Sequence, residues 1–305
     1  MFALEAQDIV KRYANHLALN KVSIAVPRQS IFGLLGPNGA GKTSLIRIIN
    51  QITAPDEGSL KINGVPLKQE HSASIGYLPE ERGLYKKMKV GEQAMYLAQL
   101  KGVDKHAARK RLHEWFDKFD IGSWWDRKVE ELSKGMQQKI QFVVTVIHEP
   151  EILIFDEPFS GFDPVNVNLL KSEILQLQKN GATILFSTHN MESVEELCDH
   201  IALINASEKI LDGTVQDIKR AYRSHTFELL LSQISESPRS LIPAGFELIS
   251  EKANNYGETL IRIKSPVVVD SNQLIASFLP HATVVSFQEV LPSMNDIFIE
   301  QVQRK

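Results

Sequence analysis

The chain has 305 residues, 43% hydrophobic and 23% charged, enough for one large domain or two smaller ones around a real core. Its formal charge of −3 supplies no overall attraction for nucleic acid or an anionic membrane. A lone cysteine, Cys198, excludes an intrachain disulfide and fits a reducing cytosol. There is neither a charged-then-apolar signal pattern nor an apolar run long enough to cross a bilayer, so any membrane role is expected to need a partner that spans it.

Residues 1–30 alternate apolar and polar positions, as in Phe2-Ala3-Leu4-Glu5-Ala6 and Val22-Ser23-Ile24-Ala25-Val26, which predicts half-buried antiparallel strands. Tyr13 is placed in the loop between them. It reads either as an ordinary exposed loop tyrosine or as a ring that stacks on a purine, a contact worth about 1–3 kcal/mol. Ile31-Phe32-Gly33-Leu34-Leu35 then has the character of a buried strand, and Ser44 to Ile49 that of a helix with one apolar face.

Between that strand and that helix lies Gly36-Pro37-Asn38-Gly39-Ala40-Gly41-Lys42-Thr43-Ser44, which fits the phosphate-binding template G-x-x-x-x-G-K-[ST]. Gly36, Gly39 and Gly41 let the backbone turn tightly, so that its N–H groups and the helix N-terminus face phosphate oxygens. Lys42 adds a point charge at the terminal phosphates, and the Thr43 hydroxyl is suited to Mg²⁺. The competing reading, a plain glycine-rich turn, is disfavoured because every fixed position is filled and both flanks are right. The expectation is a nucleoside triphosphate site.

Farther along, Ala54 to Gly58 reads as a turn, Ser59 to Ile62 as a strand closed by Asn63-Gly64, and Ser74 to Glu80 as a buried strand ending in a loop. From Val90 to Phe119 the spacing of Ala94, Leu97, Leu100, Ala107, Leu112 and Phe116 predicts amphipathic helices, an insert of about 81–150 in an α/β core, whose Lys and Arg residues form a solvated face. Glu131 to Gln138 opens a helix running to Ile147. Ile152-Leu153-Ile154-Phe155 is a buried strand ending in Asp156-Glu157. A helix from Pro164 to Asn180 and a strand over Ala182 to Ser187 follow, the latter ending at Thr188-His189. This alternation predicts a mainly parallel sheet, at whose carboxyl strand ends ligands collect. After residue 222 the alternation gives way to short strands at 227–231, 259–263 and 283–287 and helices near 271–279 and 293–303, a small α+β domain spanning 223–305.

Adjacent acids at a strand end have a definite use beside a phosphate loop. Asp156 is suited to hold Mg²⁺ through its water shell, and Glu157 to polarise a water for attack on the γ-phosphorus. His189, at the end of the next strand, is placed to sense or stabilise the γ-phosphate. Without the phosphate loop, the acids would read as helix caps and the histidine as incidental.

Together these residues closely resemble the nucleotide-binding subunit of ATP-binding cassette (ABC) transporters, over about residues 2–220. The resemblance implies a P-loop core with an antiparallel β-subdomain and a helical insert. Tyr13 matches the adenine-stacking position, Gly36 to Ser44 the Walker A loop, and Ile152 to Glu157 Walker B. Ser160-Gly161-Phe162-Asp163 matches the D-loop and His189 the switch histidine. Leu132-Ser133-Lys134-Gly135-Met136 matches the signature, which in the family caps the γ-phosphate of ATP on the opposite subunit. Ser133, Gly135 and Met136 are thus implied to act across a head-to-tail dimer closed over two ATP molecules, either a homodimer or a pair with another ABC subunit. Glu80 stands where the family usually has a glutamine, and its carboxylate is suited to ligate Mg²⁺. Lys134 and Met136 are further departures from the usual signature. These departures and the trailing domain resemble cassettes of type-2 exporters of the sodium- and drug-extrusion group. The implied protein is an ATPase motor held on the inner face of the cell membrane by a separate permease. A cytoplasmic permease helix would dock near Leu84, Tyr85, Met88 and Tyr96. The alternative, a soluble ABC ATPase acting on ribosomes or DNA, usually carries two cassettes or a long coiled coil. This chain has one Walker A and no sustained heptads, and no nucleic-acid partner is expected.

Overall fold

Two strands of twelve residues, β1 (Phe2–Tyr13) and β2 (His16–Pro27), open the chain as an antiparallel hairpin in the computed structural model, which describes residues 1–303 except Arg82 and Val268. Only Ala14 and Asn15 separate them, and Ala14 takes a left-handed φ of 47° to close the turn. Tyr13 is therefore the last residue of β1, paired with His16, and not a loop residue. A two-residue hairpin turn needs positive φ, which the Ala-Asn pair does not advertise as Asn-Gly would. β3 (Ile31–Leu35), all five residues buried, leads into the glycine loop and α1 (Lys42–Ile49). β4 (Glu57–Ile62) pairs with β1 and β5 (Val65–Pro66) with β4, giving an antiparallel sheet in the order β2-β1-β4-β5. Its inward residues, among them Leu4, Ala6, Ile9, Ile24 and Ile62, share one core with Leu45, Ile46 and Ile49 of α1.

β6 (Ile75–Leu78), α2 (Val90–Leu100), α3 (Lys105–Lys118), α4 (Lys134–Val146) and β7 (Ile152–Asp156) come next. They are followed by α5 (Pro164–Lys179), β8 (Thr183–Thr188), α6 (Met191–Leu197), β9 (His200–Asn205), β10 (Glu208–Thr214) and α7 (Val215–Ala221). Six of the strands form a second sheet in the order β10-β9-β3-β8-β7-β6, in which every neighbouring pair is parallel except β9 and β10. Continuous apolar runs such as Ile152-Leu153-Ile154-Phe155 suit strands buried on both faces.

The helical insert has its own centre in Trp125. This ring stacks on His113 at 5.0 Å and meets Phe116 edge-on at 5.3 Å. α2 begins against it, with Val90 N–H donating to Arg127 O and Gly91 N–H to Trp125 O, both at 2.9 Å. α3 starts at Asp104, whose carboxylate accepts from the N–H groups of His106 and Ala107 and is held below its ordinary pKa by those bonds. Its buried stripe is Ala108, Leu112 and Phe116, one residue on from the expected Ala107. Leu100 does not join the core: it is 63% exposed at the last position of α2, whose buried face consists of Val90, Gly91, Ala94 and Ala98 with Gln93.

The chain divides into two compact units, Met1–Val215 and Gln216–Lys305. In the second, β11 (Thr226–Ser232), β12 (Glu247–Ala253), β13 (Thr259–Lys264) and β14 (Thr283–Val290) form an antiparallel sheet in the order β12-β13-β11-β14. Two helices, α8 (Ser271–Phe278) and α9 (Met294–Gln303), complete it. Phe227, Leu229, Leu231, Ile261 and Ile263 form its core with Leu274 and Phe278 of α8. β12 has no counterpart in the sequence reading, because this edge strand carries Glu247, Glu251 and Lys252 and lacks a clean apolar alternation.

The approach of α2 to Trp125 leaves no room for a side chain at Gly91, where a Cβ would stand 2.3 Å from the ring. Gly91→Ala is expected to destabilise the fold by about 1–3 kcal/mol through overpacking. A lower denaturant midpoint with an unchanged m value is the expected reading; an unchanged midpoint would show that the ring moves aside freely.

Candidate nucleotide-binding site

The loop from Gly36 to Gly41 is shaped by two close backbone approaches. Gly36 adopts φ 149°, and a Cβ there would lie 2.2 Å from Ile204 O on β9. Gly41 adopts φ 116°, and a Cβ there would lie 2.3 Å from Ala18 O on β2. Both sheets therefore press on the loop, and only glycine fits at the two contacts. α1 starts immediately afterwards, capped by no side chain and with no acid in its first turn, so its positive end is left for an anion.

Lys42 is 7% exposed and its ammonium donates to Gly36 O at 2.7 Å and Pro37 O at 3.1 Å. An ammonium has three protons, so one remains for a phosphate oxygen. Burial lowers the Lys42 pKa below 10.5, and the carboxylates of Glu157, Asp156 and Glu80 oppose that shift.

The acids reach the loop through strand register. Leu35 of β3 pairs with Thr188 of β8, and Ser187 of β8 pairs with Asp156 of β7, so the three strands end within one residue of one another. Asp156 is 3% exposed and accepts a hydrogen bond from the Ser187 hydroxyl. Glu157 lies just past the strand end with φ 49°, a left-handed conformation that a non-glycine residue adopts only when its surroundings hold it there. Its N–H donates to Ser187 O at 3.1 Å, and its carboxylate accepts from His189 Nδ1 at 2.8 Å and, at a longer 3.4 Å, from the Thr188 hydroxyl. Because the carboxylate only accepts, Nδ1 is the protonated ring nitrogen.

Tyr13, Asn38, Gly39, Gly41, Lys42, Thr43, Ser44, Glu80, Asp156, Glu157 and His189 line one cleft of about 430 Å³. Gly36, Pro37 and Ala40 do not line it: they form the back of the loop, where Ala40 is buried. Ser133, Gly135 and Met136 do not line it either. Ser133 is the N-cap of α4, accepting from Met136 N–H at 3.3 Å. The sequence reading overlooked His16 and Ala18, which do line the cleft. His16 follows from pairing with Tyr13 across the hairpin, a signal that a correct turn assignment would have supplied.

Among the described residues no three His, Cys, Asp or Glu side chains cluster closely enough to hold a metal by themselves. Thr43, Glu80 and Asp156 instead line the cleft with one hydroxyl and two carboxylates. Mg²⁺ is commonly bound through one or two carboxylates together with substrate phosphates and water, so the donor set fits it.

The ABC transporter family model matches residues 19–160, and that of the DrrA1-3-like ATP-binding protein C-terminal domain matches residues 213–302. The chain is 40% identical over 301 residues to the ABC transporter ATP-binding protein YhaQ of Bacillus subtilis, covering 98% of each chain. It belongs to the ATP-binding proteins of ABC transporters. Other relatives include the ABC transporter ATP-binding protein NatA of Bacillus subtilis, 35% identical with 68% of this chain and 86% of that protein covered. The Nod factor export ATP-binding protein I of Burkholderia pseudomallei is also 35% identical, with 69% and 70% covered. Among solved structures, an ATP-binding subunit of an ABC transporter is 30% identical, with a TM-score of 0.68 over 72% of this chain and 93% of that one. The protein is thus an ATP-binding cassette, an ATPase and the ATP-driven motor subunit of a membrane transporter. No helix among its described residues is long and apolar enough to cross a membrane.

The position of Lys42 makes a testable demand on pH. A bound phosphate favours the charged amine, so nucleotide affinity should fall as pH rises through the lowered pKa, beginning below 10.5. Over that same interval the unfolded chain holds the proton longer than the nucleotide-free fold, so the stability of that fold should rise with pH. Equilibrium binding of a fluorescent ATP analogue across the alkaline range checks the first effect. Lys42→Arg, which keeps its charge, should give a flat profile there. A shared slope would assign the titration to another group.

Proposed function

We propose that the chain powers export. Its ATP sites would be composite ones in a head-to-tail dimer, driving a separate permease on the inner face of the cell membrane. The observation that carries the chemistry is Glu157: an acid at the rim of the phosphate cleft, held in a left-handed backbone conformation and oriented by His189 at 2.8 Å. In this reading Lys42 and the loop N–H groups bind the β- and γ-phosphates, and Tyr13 stacks on the adenine ring. Glu157 accepts a proton from the water that attacks the γ-phosphorus, the β–γ bridging bond breaks, and ADP and phosphate result. His189 keeps Glu157 aligned and lies near the γ-phosphate. Thr43, Asp156 and Glu80 would hold Mg²⁺, which supplies charge neutralisation on the phosphates when bound.

Ser133, Gly135 and Met136 stand apart from the cleft of their own chain, which is what action on a second subunit's ATP requires. Residues 1–222 would form the motor domain and 223–305 an accessory one. Export as the direction rests on relatives such as the Nod factor export protein and the lipopolysaccharide export system ATP-binding protein LptB of Haemophilus influenzae, 29% identical. Docking of the permease beside the helical insert is supported by Tyr85 and Tyr96, which meet edge-on at 6.5 Å and are both exposed. Exposed paired aromatics suit an interface anchor.

Two experiments test this reading. Glu157→Gln should retain ATP binding, slow hydrolysis by about 10²–10⁴-fold and accumulate an ATP-bound dimer on gel filtration. Wild-type turnover would move the general base elsewhere. Mixing a Lys42→Ala chain with a Ser133→Ala chain should restore part of the ATPase rate, since a heterodimer can keep one intact composite site. A mixture no more active than its separate components would argue against assembly in trans.

A further inference from the structure

Ser187 is a polar residue in an otherwise apolar stretch, Ile184-Leu185-Phe186-Ser187, at the centre of the parallel sheet. It is 0% exposed. Across the sheet its register partner on one side is Leu34, which offers no polar side chain, and on the other it is Asp156. A buried hydroxyl costs stability unless it finds a partner, and here the Asp156 Oδ1 atom accepts its proton. The neighbouring hydroxyl is used differently. Thr188 accepts the Asn190 N–H at 3.1 Å and makes only a long 3.4 Å contact to Glu157. Of the two hydroxyls at this strand end, Ser187 makes the close contact to an acid.

From this arrangement we infer that Ser187 is a positioning residue for the divalent cation that accompanies the nucleotide. By occupying Oδ1 of Asp156 it fixes the rotation of the carboxylate and leaves Oδ2 as the oxygen available to the cleft that Asp156 lines. The bond also carries charge: a hydroxyl donating to a carboxylate is stronger than one donating to a neutral acceptor. Partners of this kind, one bond removed from the ion, orient the ligating group, and their loss typically lowers metal affinity about 10–100-fold. The main-chain contact at the same residue adds to the case. Ser187 O accepts the Glu157 N–H, so one residue of β8 holds the side chain of the first acid and the backbone of the second. The inference rests on the proposed role of Asp156 toward Mg²⁺.

The test is Mn²⁺ titration of the full chain saturated with ADP, read by electron paramagnetic resonance, for wild type, Ser187→Ala, Ser187→Thr and Asp156→Asn. ADP binding in the presence of EDTA and circular dichroism are measured alongside. Ser187→Ala should weaken Mn²⁺ about tenfold while metal-free ADP binding and the circular dichroism spectrum stay as in wild type. Ser187→Thr, which keeps the hydroxyl, should recover most of the loss. If Asp156→Asn weakens Mn²⁺ and Ser187→Ala does not, the inference fails while the role of Asp156 stands. If Asp156→Asn leaves Mn²⁺ affinity unchanged, the role of Asp156 itself fails and the inference goes with it. An equal loss of metal-free ADP binding in Ser187→Ala would reduce Ser187 to a structural hydroxyl.

Discussion

The constraint on which the site depends is the parallel register of β3, β8 and β7. Because the strand ends at Leu35, Thr188 and Asp156 fall within one residue of one another, the loop leaving β3 and the acids at the end of β7 open onto the same edge of the sheet. A parallel ladder makes this possible, since all its strands finish on one side and their following loops meet there. β8 lies between the other two strands: its Ser187 hydroxyl holds the Asp156 carboxylate, its Ser187 carbonyl holds the Glu157 N–H, and His189, just past its end, holds the Glu157 carboxylate. A slip of one residue in β8 would turn Ser187 away from Asp156 and put Phe186 in its place.

A second constraint acts on the loop itself. Gly36 touches β9 and Gly41 touches β2, so the loop is gripped by the parallel sheet on one side and the antiparallel sheet on the other. Tyr13 and His16, at the turn of the β1–β2 hairpin, overhang the same cleft. The N-terminal hairpin therefore sets the path of the glycine loop, through Ala18 O, and contributes Tyr13 and His16 to the lining of the cleft. The buried Lys42 ammonium is the electrostatic counterpart: desolvation disfavours its charge, and three carboxylates on the cleft favour it.

Much of this was legible in the residues because the demands are local. The glycines and the lysine after Gly41 fill a fixed local template, and beside that template the apolar runs ending in acids or histidine gain a definite reading that they lack alone. The parts that were missed depend on pairing. From sequence Tyr13 reads as a loop residue because a two-residue turn with positive φ at Ala14 has no composition signal, and His16 is hidden with it. Leu100 fits the helical spacing, but α2 ends there and its buried face is Val90, Gly91, Gln93, Ala94 and Ala98. β12 is an edge strand with charged residues, so periodicity could not single it out. Ser187 was visible only as the tail of an apolar strand; its partner is 31 residues away and is set by register.

In the proposed mechanism one cleft binds the nucleotide phosphates between the Gly36–Gly41 loop and the ends of β7 and β8. A density map of the chain with a slowly hydrolysed ATP analogue and Mg²⁺ tests this most directly. It should place the γ-phosphate within hydrogen-bond reach of the Lys42 ammonium, with Glu157 and His189 facing it and the base against Tyr13. A nucleotide seated elsewhere, or phosphates bound without contact to Lys42, would contradict it.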